Sequence, residues 1–155
     1  MNESQINHYR EYAWRYFSLH ADHRLKAFNF FVAFATLLIG AFATLIEKSG
    51  IRQPYVLLPL ALVFVSFVFW KLEERTRMLV KNGEEALKYI DLSVLGNDSE
   101  EHKILALFSA DDELTSKLPK FPLWSGHFSY SRCFRWVYMT CGVIGFIGAI
   151  VCIDI

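Results

Sequence analysis

Three apolar blocks free of Asp, Glu, Lys and Arg constrain this 155-residue chain more than any other feature. They are FNFFVAFATLLIGAFATLI at 28–46, YVLLPLALVFVSFVFW at 55–70 and WVYMTCGVIGFIGAIVCI at 136–153. As helices they are about 28, 24 and 27 Å long, against a hydrocarbon core of about 30 Å. Leu72 and its neighbours let the second extend to residue 72. A helix buried in a soluble core usually keeps one polar edge; these keep none. A soluble globule of this size buries only about 70% of its unfolded surface. A chain that is 54% apolar and only 21% charged, with its charges lying between the blocks, therefore suits lipid better than water. The expected fold class is an all-α membrane protein with three transmembrane helices. No cleaved signal peptide is expected, because the first block starts late, behind a charged and aromatic segment, and ends without a small-x-small site.

Basic residues orient the spans. Fourteen of the sixteen Lys and Arg lie before the first block or between the second and third, and only Lys48 and Arg52 lie between the first and second. The expected arrangement is one domain over 1–155: cytoplasmic residues 1–27, span 28–46, an outside hairpin 47–54, span 55–72, cytoplasmic helices and loop 73–135, and span 136–153, with the C-terminus outside. Trp70, Trp136 and Tyr138 fall at the inner interface and Tyr55 at the outer one, as an aromatic belt requires. A formal net charge of zero argues against direct nucleic-acid binding, which needs clustered Lys and Arg. Cys133, Cys141 and Cys152 form no C-x-x-C pair and read as small apolar residues, not as metal ligands. No cofactor is expected.

The helices are expected to continue past the spans. No Gly or Pro interrupts Ser4 to Phe28, so the first helix is expected over about 4–47. Its rings Tyr9, Tyr12, Trp14, Tyr16 and Phe17 are too many for a free tail. Beyond the second span, Leu72, Thr76, Leu79, Val80, Gly83, Leu87, Ile90 and Val94 recur at helical spacing. The opposite face, with Glu73, Glu74, Arg77, Lys81, Glu84, Glu85 and Lys88, reads as solvated. Gly83 weakens the helix by about 1 kcal/mol, which points to close backbone contact or a kink. Asp98 and Glu101 suit the cap of a short helix over about 99–109, and 116–126 reads as ordered loop.

Small residues let helices approach closely in lipid. Thr36, Gly40 and Thr44 form one such ridge; Gly142, Gly145, Gly148 and Ala149 form another. These are more ridges than a three-helix bundle needs, so a homo-oligomer is expected. If it encloses a pore, no charged ring lies within the bilayer, which leaves a wide pore or a hydrophobic constriction. The cytoplasmic segment is the candidate vestibule.

RYFSLHADHR at 15–24 holds Arg15 and His20 at an R-x4-H spacing. Such a pair suits phosphodiester cleavage, with His as acid or base and Arg on the developing charge. On a continuous helix, however, the two side chains stand about 140° apart. Tyr16, His20 and Arg24 share a ridge instead, with His23 nearby. The favoured reading is a polar network of Arg15, His20, His23 and Arg24 just beneath the membrane, with pH or ligand sensing as the next alternative and catalysis last.

HYREYAWRYFSLHADHRLKAFNFFVAF resembles the N-terminal region of small bacterial membrane proteins of antiphage defence. In particular it is similar to the accessory membrane protein of type VI-B CRISPR systems, which carries a degenerate HEPN motif. Arg15, His20, Ala21, Arg24, Leu25, Phe28, Asn29, Phe30 and Phe31 carry the resemblance, over about 30 residues. It implies an oligomeric inner-membrane pore that strengthens defence by depolarising the membrane once an RNA-guided RNase fires. It also implies that Arg15 and His20 matter without forming a nuclease dyad. The alternatives are a non-conducting membrane scaffold that recruits a soluble partner, and a membrane-tethered HEPN-like RNase.

Overall fold

The computed structural model describes residues 3–49, 53–95 and 130–153, which are helical throughout, with no strand among them. Helix α1 spans Glu3–Ser49, a 3-10 turn Gln53–Val56 leads into α2, Leu57–Leu95, and α3 spans Tyr130–Ile153. All three are long and apolar enough to cross a membrane. The chain is an all-α membrane protein with three candidate spans. The short helix expected near 99–109, the loop 116–126, and Gly50 and Arg52 of the hairpin lie outside the described residues.

Local chemistry accounts for these bounds. The first 25 positions of α1 contain neither Gly nor Pro, and the helix runs on unbroken through its one glycine, Gly40. Pro54 falls in the 3-10 turn and Pro59 in the first turn of α2, where a missing N–H has no intrahelical partner to lose. Helix α3 starts well before its apolar block, which brings Ser131 into it.

The contacts divide the chain into two compact units. The unit drawn from His23–Arg75 and Ser129–Ile155 has a core of Phe31, Ala35, Leu62, Phe134 and Tyr138. Helix α3 packs on α2 through glycine: a Cβ on Gly145 would lie 2.8 Å from the Pro59 carbonyl oxygen and 3.0 Å from Val63 Cγ2. Only a bare backbone fits there. Outward, Leu37 and Phe64 stay 69% and 67% exposed. Covering such a side chain is worth about 1.5–3 kcal/mol, so lipid or another protein surface must do it.

The unit drawn from Met1–Asp22 and Thr76–Phe128 packs Ala13, Leu87 and Ile90 together, with Ile6 and Phe17 against them. Gly83 is the closest approach. Its Cβ would stand 3.1 Å from both Cα and Cβ of Phe17, so close backbone contact explains this glycine. Arg10 of α1 meets Asp91 of α2 at 3.4 Å.

One expectation fails here. Glu73 is not on a solvated face; it is 3% exposed. Glu84 and Lys88 are half-buried and bond each other at 2.8 Å. In the other direction, Leu72 and Val94 of the expected apolar face are exposed. The packed stripe is rotated toward Glu73 because that carboxylate has an internal partner, and Leu72, beside the span, needs no protein cover.

Candidate functional site

Arg24 is that partner, and three helices meet at it. It stands one turn before the first apolar block on α1, Glu73 follows the second directly on α2, and Ser131 precedes the third on α3. One end of each of the three spans is thus joined to the other two. Arg24 Nε donates to both Glu73 carboxylate oxygens, at 3.0 and 2.9 Å. Its Nη2 donates to Glu73 Oε1, and to Ser131 Oγ at 2.7 Å. The guanidinium carbon lies 5.3 Å from the Phe134 ring centroid, a cation–π distance. Phe28 stacks on Phe134 with centroids 4.1 Å apart, and Phe31 meets Tyr138 edge-on at 4.6 Å.

The pair is buried, with side-chain exposures of 14% for Arg24 and 2% for Glu73. Arginine suits the place because its planar fork reaches a carboxylate twice and a hydroxyl once, and its face lies on an aromatic ring. The cation and the carboxylate are turned on each other, and with Ser131 they lock the three helices together. Losing one partner of such a pair strands a buried charge, at a cost of about 3–5 kcal/mol.

The other residues of RYFSLHADHR lie elsewhere. Arg15 is exposed and pairs with Glu11 one turn back at 2.5 Å. His20 meets the Tyr16 ring edge-on, centroids 4.4 Å apart. His23 is exposed on α1. Since α1 is unbroken, Arg15 and His20 keep the divergence of helical geometry, and no dyad forms between them. Among the described residues no group of His, Cys, Asp and Glu is arranged to hold a metal. Cys152 is buried, Cys141 half-buried and Cys133 exposed.

The two small-residue ridges are used differently. Gly142, Gly145 and Gly148 all face α2 or α1, through Ser66, Pro59, Val63 and Phe42. Ala149 is buried with them. Thr36, Gly40 and Thr44 are exposed, and a Cβ on Gly40 would meet nothing within 4 Å. The two hydroxyls donate to carbonyls of their own helix, Thr36 to Val32 at 2.8 Å and Thr44 to Ala41 at 2.9 Å. Among the described residues, nothing packs against Gly40 on this ridge.

Residues 9–153 match the octameric membrane protein family (8xMP). The chain belongs to that family. It is also 30% identical over 141 residues to CD-NTase-associated protein 19 of Escherichia coli, across 90% of this chain and 87% of that protein. No solved structure matches.

In this 8xMP chain, sequence reasoning singled out Arg24 among its network candidates and read Glu73 as solvated. A signal for its burial existed. Glu73 stands seven residues before Val80 and fourteen before Leu87, which places it within about 40° of both around the helix. It also stands three residues past the second apolar block, much as Arg24 stands four before the first.

Proposed function

We propose that this 8xMP chain assembles as an octamer into a pore across the bacterial inner membrane and acts as an effector of antiviral defence. Its N-terminus and residues 73–135 face the cytoplasm and its C-terminus faces outside. The observation that carries the pore is the uncovered face of α1. Asn29, Thr36, Gly40 and Thr44 lie on one side of that helix, opposite the packed Phe31, Ala35 and Leu38. Exposed positions on the flank of the same helix carry Phe30, Phe34 and Leu37. Polar groups within a span usually face a bundle interior or water, and a ring of such faces makes a neutral, hydroxyl-lined lumen. The family's description as octameric supports the closed ring.

The defence role rests on the relative's CD-NTase association and on the N-terminal resemblance to a defence accessory protein. As the activating system we favour one built on a CD-NTase, because that kinship runs along nearly the whole chain. The likeness to the partner of an RNA-guided RNase covers only the first span and what precedes it. The protein itself does no chemistry on RNA, since its one Arg–His candidate pair diverges.

Ion flux from liposomes holding purified protein tests this reading. Wild-type octamers are expected to conduct. Gly40→Leu, which fills the lumen without touching the chain's own packing, is expected to abolish flux and leave the octamer intact. Well-formed octamers that release no ions overturn the pore and favour the non-conducting scaffold.

A further inference from the structure

The α1 segment of the first unit carries large rings on two opposite sides. Tyr9, Tyr12 and Tyr16 face Tyr89 of α2 across a groove of about 640 Å³, lined between them by Gly83 and Ala86. Tyr12 is 66% exposed and Tyr89 is 73% exposed. Trp14 stands two residues from both Tyr12 and Tyr16, about 200° around the helix from each. Its ring leans on Phe17, centroids 5.8 Å apart, and is still 54% exposed.

We infer that this groove receives Trp14 of a neighbouring copy, so that the ring closes through one groove-to-indole contact repeated at each subunit boundary. The inference rests on the octameric reading above. Copies inserted in one orientation cannot be related by a twofold axis lying in the membrane, so their common axis runs along the membrane normal. A ring of that kind needs heterologous contacts, with two different and complementary patches on every chain. The groove and Trp14 are such a pair, one concave and one projecting, on opposite sides of the same helix. Rotation about an axis adds no translation along it, so the two patches must lie at one height. Along α1 they share one level, because Trp14 lies between Tyr12 and Tyr16 in the helix that walls the groove. The chemistry agrees, because Trp and Tyr anchor protein interfaces by burying a broad apolar ring while a polar edge stays wet.

A photo-reactive benzoylphenylalanine in place of Trp14, in the otherwise native chain, tests the contact in membranes. The expected result is a dimer band whose cross-linked peptide carries Asn82–Ile90. A dimer band mapping elsewhere overturns the inference, as does no band from particles that run as octamers. Ala86→Trp, which fills the groove from its own chain, is expected to abolish the octamer while the helical signal in circular dichroism is kept; an unchanged octamer also overturns it. A wild-type protein that runs as a monomer removes the octameric reading itself, and size measurement separates that failure from the others.

Discussion

At the scale of single residues, Arg24 and Glu73 dominate. Glu73→Ala strands a cation among Ser131, Phe134 and Phe28, and a loss of about 3–5 kcal/mol is expected in denaturation of the detergent-solubilised protein. Arg24→Ala should cost a similar amount, and the pair Arg24→Met with Glu73→Met less than either single change, because no lone charge is left. A double mutant that costs the sum of the two would sink the pairing. Ser66 differs: its hydroxyl is buried with no hydrogen-bond partner among the described residues. Ser66→Ala is therefore expected to leave stability unchanged or raise it by about 1 kcal/mol. The Arg15 side chain pairs with Glu11 in an exposed ion pair, worth about 0.3–0.5 kcal/mol. Arg15→Ala should leave the melting curve nearly in place, and purified wild-type protein should leave labelled RNA intact. Arg15 and His20 were conspicuous in sequence because of their spacing. Arg24 matters more, and helical geometry sets Arg15 and His20 about 140° apart.

At the scale of helices, glycine reports which faces are taken. Gly145→Ala presses a methyl against the Pro59 carbonyl at 2.8 Å, and overpacking of this kind costs about 1–3 kcal/mol. Gly40→Ala meets open space, so the isolated chain should tolerate it. Thermal melts of the two variants in detergent compare them directly; equal losses would contradict the assignment of faces. Gly83→Leu should loosen α1 from α2 in the first unit, seen as faster proteolysis near Tyr16 with the spans still protected. Both small-residue ridges were legible in the sequence as places of close approach. Which ridge serves the chain and which is left over was not, because periodicity marks a face and does not name its neighbour.

At the scale of the whole molecule, the uncovered surface carries the consequence. A chain that buries Phe31 and Tyr138 yet leaves Leu37 and Phe64 open is a component of a larger, lipid-embedded body. The detergent-solubilised protein is expected at the mass of eight chains plus its micelle, checked by light scattering. A monodisperse monomer at micromolar concentration would contradict it.

The sequence by itself determined the three spans, the unbroken first helix and the continuation of the second past its span. Apolar length and the placement of Gly and Pro act locally, so nothing distant can overrule them. Tertiary structure alone decided that Glu73 turns inward to Arg24, that Gly145 seats Pro59 while Gly40 stays open, and that four tyrosines share a groove. Those outcomes depend on which helix faces which. A carboxylate beside a span reads as solvated until a guanidinium from another helix is brought within 3 Å of it.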